Sequence, residues 1–114
     1  MLIFPQLTPS YTALVSQNGT NDPTATVIYN NTSSIFTWAR TGAGTYTATS
    51  SVNLNFTGGK TIVFVNYGNP SSDGLPPKWS ITSDTIITVT TQDETGVLDD
   101  DILTSGAFEI RIYN

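Results

Sequence analysis

Short segments in which apolar and polar residues alternate recur along this chain, and turn-forming residues interrupt them. In VNLNF (residues 52–56), valine, leucine and phenylalanine alternate with asparagine. Successive side chains of a β-strand point to opposite faces, so this pattern places the three apolar residues on one face. No segment of ten or more residues has the 3.6-residue apolar period of an amphipathic helix. The alternation therefore predicts an all-β fold.

Glycine-, asparagine- and proline-containing turns divide the chain into eight or nine short predicted strands. The predicted strands span residues 10–17, 24–30, 34–40, 45–50, 52–56, 61–67, 78–82, 84–92 and 107–114. Short strands at this spacing are typical of a two-sheet antiparallel β-sandwich, either jelly-roll-like or Ig-like, although the pattern does not give the strand order. We expect an N-terminal arm over residues 1–9, a single domain over 10–114, and no helix beyond a turn near 98–104.

The apolar faces of these strands predict the core. Segment 61–67, TIVFVNY, is apolar at consecutive positions, which is typical of a central strand buried on both faces. Trp38 alternates in phase with Phe36, so we interpret it as a core residue. The other predicted core residues are Val52, Leu54, Phe56, Ile62, Phe64, Ile87, Val89, Phe108, Ile110 and Ile112.

Several classes of function conflict with the composition. The chain has no cysteine and no histidine, so it has no Ser-His-Asp or Cys-His nucleophile system and no thiolate metal site. Its four basic residues are scattered and its net charge is −5, which argues against nucleic acid and against an anionic membrane surface. There is no apolar run long enough to span a bilayer and no basic signal-peptide start. We therefore expect a non-enzymatic protein without a cofactor.

The connection at residues 93–106, DETGVLDDDILTSG, concentrates five acidic residues. Carboxylate oxygens are ligands for Ca²⁺, but the stretch lacks the alternating acidic spacing of an EF-hand loop. A solvated acidic turn, or aspartates that cap a short helix, is the favoured interpretation. Adjacent carboxylates could also serve glycoside hydrolysis, yet no aromatic-lined cleft accompanies them in the sequence. We assign no catalytic residue and no metal ligand.

Tyr67 and Trp79 are the candidate binding residues. They flank the loop at 68–77, GNPSSDGLPP, which is the one connection long enough to act as a binding loop. Its two adjacent prolines should prevent ladder pairing there. Exposed tyrosine and tryptophan can stack on sugar rings. Packing in the core or at its rim is the favoured alternative for Trp79.

The two ends of the chain carry a family resemblance. The opening YTALVSQNGTNDP and the closing strand EIRIY are similar to segments of small all-β proteins of tailed bacteriophages, especially from marine and Bacteroidetes hosts. Most members of that group have no assigned function, and some are presumed virion or appendage proteins. The matching positions are Tyr11, Ala13, Leu14, Gln17, Gly19, Thr20, Pro23, Glu109, Ile110, Arg111, Ile112 and Tyr113.

The resemblance implies that the chain is a structural component of a virion. Its expected partners are other virion proteins and further copies of itself, in a homo-oligomer that can be a trimer. A surface rich in threonine and poor in charge supports self-association, because few charges need to be desolvated at a contact. The alternative is a carbohydrate- or cell-surface-binding module that uses the 68–77 loop and Trp79.

Overall fold

A computed structural model describes residues 8–67 and 74–113, and these residues form eight β-strands in two antiparallel sheets of four strands. The predicted all-β sandwich is confirmed. In chain order the strands are β1 (Ser10–Ser16), β2 (Thr24–Asn30), β3 (Phe36–Gly42), β4 (Thr45–Ser50), β5 (Thr61–Asn66), β6 (Leu75–Ile81), β7 (Ile86–Gln92) and β8 (Gly106–Ile112).

The strand order is what the sequence pattern did not give. The first sheet has the order β2-β1-β8-β5 and the second has the order β3-β4-β7-β6. The first and last strands are therefore neighbours at the centre of the first sheet, where Tyr11 pairs with Ile110. Strands β2 and β5 form the edges of the first sheet, and β3 and β6 form the edges of the second.

The core lies between the sheets and is centred on aromatic contacts. The ring centroids of Trp38 and Phe108 are 4.7 Å apart in an edge-on arrangement, and those of Tyr11 and Phe36 are 4.2 Å apart. The indole N–H of Trp38 donates a hydrogen bond to the Tyr11 hydroxyl, 3.2 Å away, which satisfies a buried donor. Trp38 is buried, as predicted.

Most of the predicted core is also confirmed. The side chains of β7 and β8 alternate regularly between the interior and solvent, which matches their period-2 sequences. Leu54 is only partly buried and packs against the core cluster. The predicted core residues that the structure buries are Phe56, Ile87, Val89, Phe108, Ile110 and Ile112.

The prediction of a strand at 52–56 is wrong. This segment bends and leads into a one-turn 3₁₀ helix, Phe56–Gly58, and Val52 is exposed. Asn55 has a left-handed backbone (φ 55°), which breaks the extended conformation that alternation requires. Phe56 still reaches the core. The expected turn near 98–104 is not helical, because this connection contains bends and an isolated bridge between Gln92 and Leu98.

The prediction that 61–67 is a doubly buried central strand is also wrong. β5 is an edge strand that pairs with β8 alone, so only its inward positions, Val63 and Val65, are covered. Ile62 and Phe64 lie on the outer face of the first sheet and are exposed. An apolar residue at an outward-facing position does not show that the position is buried, because the sequence pattern does not report whether another layer covers that face of the strand.

The loop expected at residues 68–77 ends earlier in the chain than predicted. Residues 68–73 lie outside the described residues, and β6 begins at Leu75, so Pro76 and Pro77 lie within a strand. The register with β7 jumps from Leu75 to Lys78, and neither proline has a Cα partner. The strand is an edge strand with an irregularity, which is where a sheet tolerates proline.

Candidate functional site

Trp79 is the predicted site residue that the structure places on an open groove. It lies on the edge strand β6 and pairs with Val89, whose side chain is fully buried. The two paired side chains share a face of the sheet, so the indole is directed toward the space between the sheets. It remains 40% exposed because this space opens at the β6 edge. Trp79 therefore packs at the rim of the core, and its exposed part borders the groove.

The groove beside Trp79 has a volume of about 500 Å³. One wall of the groove is formed by polar and aromatic side chains that lie side by side on three neighbouring strands. Thr12 on β1 pairs with Glu109 on β8, and Glu109 pairs with Phe64 on β5. The described residues that line it are Thr12, Val63, Phe64, Val65, Asn66, Pro77, Trp79, Ala107, Phe108 and Glu109.

The Glu109 carboxylate is held in one orientation. It accepts hydrogen bonds from the Arg111 guanidinium, with Nε 3.2 Å from Oε1 and a second nitrogen 3.4 Å from Oε2. The Thr12 hydroxyl donates to the same Oε1 over 3.3 Å. The guanidinium carbon of Arg111 also lies 5.4 Å from the centroid of the Phe64 ring, within cation–π range. The groove thus places a fixed carboxylate and an exposed aromatic ring side by side.

Tyr67, the second predicted site residue, does not line this groove. Its ring is half-buried against the core cluster, and its hydroxyl donates a hydrogen bond to the backbone carbonyl of Leu75. Burial raises the pKa of the phenol above its ordinary value. Tyr67 therefore joins the end of β5 to the start of β6 and has a structural role.

The sequence pattern missed Phe64, Asn66 and Glu109 as groove residues. Phe64 was assigned to the core, whereas Asn66 and Glu109 had no distinguishing local pattern. Only the strand register brings them together, since Glu109 lies 45 positions after Phe64 in the chain and directly opposite it in the sheet. An alternation of apolar and polar residues gives the face of each residue but not its neighbours across the sheet.

The triple-aspartate stretch lies elsewhere and holds together the turns at one end of the sandwich. Arg40, at the end of β3, binds Asp100 through Nε and a terminal nitrogen, the latter 2.8 Å from Oδ2. The backbone N–H of Gly44 donates to Asp100 Oδ1 over 3.0 Å. The Tyr46 hydroxyl lies 2.8 Å from the same oxygen. A carboxylate with this many donors is a structural anchor between β3, β4 and the β7–β8 connection.

Gln17 completes this polar cluster from the interior. Its amide oxygen accepts from the backbone N–H of Asp101 and lies 2.8 Å from the Tyr46 hydroxyl, whose proton is donated to Asp100, while its amide nitrogen donates to the carbonyls of Gly19 and Asn21. The side chain is almost completely buried with all its polar atoms paired, as a buried amide requires.

The cluster shifts the ionisation of its members. Hydrogen bonds from Arg40, Gly44 and Tyr46 hold the pKa of Asp100 at about 2, below its ordinary value of 3.8. Burial, assisted by the adjacent Asp100 carboxylate, raises the pKa of the Tyr46 phenol far above its ordinary value. Asp100 is thus not the solvated side chain that the sequence favoured. In the part of the chain that the structure describes, no three acidic side chains are grouped to hold a metal ion.

The edge strand β2 forms a second exposed surface. Six of its seven residues are exposed, including Val27 (53%) and Ile28 (61%). Val27 pairs with the buried Ala13 and so faces the interior, but β3 packs its aromatic rings on β1 and β8 and leaves Val27 uncovered. Ile28 has no partner in the register because a bulge lies opposite Thr12 and Ala13. The core therefore reaches β2 only at Ala25 and ends before Val27.

Comparisons with protein-family models, with curated proteins and with solved structures gave no match to this chain. Among the described residues, no helix is long and apolar enough to cross a membrane.

Proposed function

We propose that this chain is a non-enzymatic structural module that self-associates through β2. The observation that carries the proposal is the exposed, uncharged edge of the first sheet. A strand at the edge of a sheet presents unpaired backbone N–H and C=O groups on one side, and these can pair with a strand of another chain. Residues 24–30, TATVIYN, are rich in β-branched residues, have no charge and contain no proline or glycine.

The other three edges each have a feature that opposes strand pairing. β6 contains two prolines, which lack the N–H donor, and its register is interrupted. On β3, the backbone N–H of Arg40 donates to the Asp22 carboxylate over 2.8 Å, so an edge donor is already occupied. β5 lies next to β6 at the same side of the sandwich. β2 has only its bulge, and it is the edge best suited to a partner strand.

Charge supports a second copy as the partner. The net charge of the chain is −5, so two copies repel each other unless they meet at a neutral surface. Antiparallel pairing of β2 with β2 places no like charges opposite each other. It also buries the exposed Val27, Ile28 and Tyr29 around the contact. Such a contact has twofold symmetry, so we propose a dimer in place of the trimer that the resemblance allows.

The resemblance to phage proteins supplies the proposed setting. A dimer that extends a four-stranded sheet across two subunits is a suitable building unit for a virion or appendage, in which other virion proteins are its partners. The polar cluster around Asp100 supports a structural role, because it uses its acidic side chains to fix loops.

Sedimentation velocity over a range of micromolar concentrations tests the proposal. We expect a concentration-dependent dimer, and we expect Val27→Lys to weaken it about tenfold or more, because each copy then places an ammonium group near its partner's. The matched control is Val97→Lys, at another exposed valine that lies in the β7–β8 connection. A wild-type monomer throughout the range would refute self-association, and equal weakening by the control would refute the assignment to β2.

A further inference from the structure

We propose that the groove lined by Trp79, Phe64 and Glu109 binds a neutral pyranose sugar. This goes beyond self-association, since the groove lies at the β5–β6 side of the sandwich and β2 lies at the opposite edge of the first sheet. Its volume of about 500 Å³ lies within the usual range for small-molecule sites, which is about 300–1,000 Å³.

Two exposed aromatic rings supply the apolar part of the site. Trp79 is 40% exposed and Phe64 is 50% exposed, and Pro77 adds a third rigid apolar surface. A pyranose ring has a face of C–H groups that packs on the flat surface of an aromatic side chain. Exposed apolar residues that are grouped together and rimmed by polar groups often mark a ligand-binding groove. The ring of Trp79 is the principal stacking surface, because Arg111 already lies against Phe64.

Polar groups lie beside these rings at fixed positions. The Glu109 carboxylate is oriented by Arg111 and Thr12, and its Oε2, which accepts only from Arg111, retains capacity to accept a further hydrogen bond from a sugar hydroxyl. The side-chain amide of Asn66 makes no hydrogen bond with any described residue and provides both a donor and an acceptor. Hydroxyl groups around the edge of a pyranose ring both donate and accept, so they can satisfy both side chains.

The charge of the site selects a neutral ligand. The negative charge of Glu109 is balanced by Arg111, with which it forms an ion pair at 3.2 Å. Among the described lining residues none is basic, and the neighbouring Arg111 is paired with Glu109, which disfavours a phosphate or a sugar carboxylate as the ligand. A cationic ligand would compete with Arg111 for the same carboxylate. An apolar platform with balanced charge and fixed hydrogen-bonding groups is the combination that suits an uncharged sugar.

The test is an NMR titration of the full chain with the methyl glycosides of glucose, galactose, mannose and N-acetylglucosamine at millimolar concentrations. The two indole N–H signals report separately. We expect the Trp79 signal to shift with at least one glycoside, whereas the Trp38 signal, whose N–H is bonded to Tyr11 in the core, stays unchanged.

Variants then assign the site. We expect Trp79→Ala to weaken binding about tenfold and Trp79→Phe to restore part of it, since a ring is retained. Glu109→Gln keeps the size of the side chain and should weaken binding severalfold. Tyr29→Ala, at an exposed aromatic residue on β2, should leave binding unchanged.

Three results would overturn the proposal. The first is that none of the four glycosides shifts the Trp79 signal. The second is that binding is the same in Trp79→Ala as in the wild type. The third is that an uncharged extended peptide shifts the β5 and Trp79 signals while no sugar does, which would assign the groove to strand addition.

Discussion

The two edges of the first sheet differ in what surrounds them, although both carry exposed apolar side chains. At β5, the neighbouring β6 with its two prolines and Trp79 closes the side of the sandwich and leaves a groove. At β2, β3 packs on β1 and β8, so the strand extends beyond the second sheet. The exposed apolar residues at the two edges therefore differ in their surroundings. Those at the β5–β6 side line a small concave site, whereas those on β2 form a flat strand that suits another strand.

The largest predicted effect tests whether the core ends before Val27 on β2. Phe108 is fully buried against the rings of Tyr11 and Trp38, so we expect Phe108→Ala to lower the free energy of unfolding by about 3–5 kcal/mol. Val27 faces the same interior but is half exposed, and we expect Val27→Ala to cost less than about 1 kcal/mol in the monomer. Urea denaturation at submicromolar concentration measures both. Similar losses would mean that β2 belongs to the core.

The next largest expected change in stability concerns the edge strand β3, which polar contacts hold in place. The pKa of Asp100 is about 2 in the folded chain, below the ordinary 3.8, so its contribution to stability is complete above pH 4 and is lost as the pH falls toward 2. We expect this contribution to be about 1–2 kcal/mol, measured by urea denaturation as a function of pH. Asp100→Asn should remove it at neutral pH and flatten the acid dependence.

A matched control for Asp100→Asn is Asp84→Asn. Hydrogen bonds from Thr57 lower the pKa of Asp84 as well, but this carboxylate lies at the surface. We expect its replacement to change the acid dependence much less than that of Asp100. Equal effects of the two substitutions would contradict the anchoring role of the Arg40–Asp100 pair. Neither variant should alter self-association, because neither carboxylate lies on β2.

A smaller effect is predicted at the β5 edge. Because Phe64 is half exposed, we expect Phe64→Ala to lower the free energy of unfolding by less than about 1 kcal/mol. In the doubly buried central strand that the sequence pattern predicted, the same substitution would cost about 3–5 kcal/mol. Thermal denaturation followed by circular dichroism distinguishes the two values. A large loss would show that the outer face of β5 is covered in solution.

The smallest effect on stability comes with a change in assembly. Replacing both prolines of β6, Pro76→Thr with Pro77→Thr, restores two backbone donors, of which one points to the open edge of a regular strand and the other toward β7. We expect stability to change by less than about 1 kcal/mol, while light scattering detects assemblies larger than a dimer, because both sides of the sandwich can then pair. If the double variant remains a dimer, the prolines are not what closes this edge.

Local pattern was sufficient to predict the all-β fold and the faces of β7 and β8, because alternation reports the two sides of a strand directly. It failed where a residue's environment depends on distant partners. Edge and central positions differ only in strand order, so β5 was placed at the centre of a sheet. Asn55 also interrupted an alternating segment through its backbone conformation, which the apolar pattern does not report.

The candidate sites show the same limit. Trp79, chosen because it flanks the longest predicted loop, lines the groove, whereas Glu109 and Asn66 join it only through the register of β5 and β8. Asp100 was expected in solvent, since its partner Arg40 lies 60 positions earlier in the chain. The uncharged segment at 24–30 was visible in the sequence, but its position at an edge was not.

The central claim is that β2 pairs with β2 of a second copy, and hydrogen exchange at different protein concentrations tests it most directly. Backbone N–H groups on the open side of β2 exchange freely in a monomer and become protected when another strand pairs with them. We expect alternate amides within 24–30 to gain protection as the concentration rises, while those of β6 do not change. Exchange within 24–30 that is fast and independent of concentration, or protection gained at β6 instead, would contradict it.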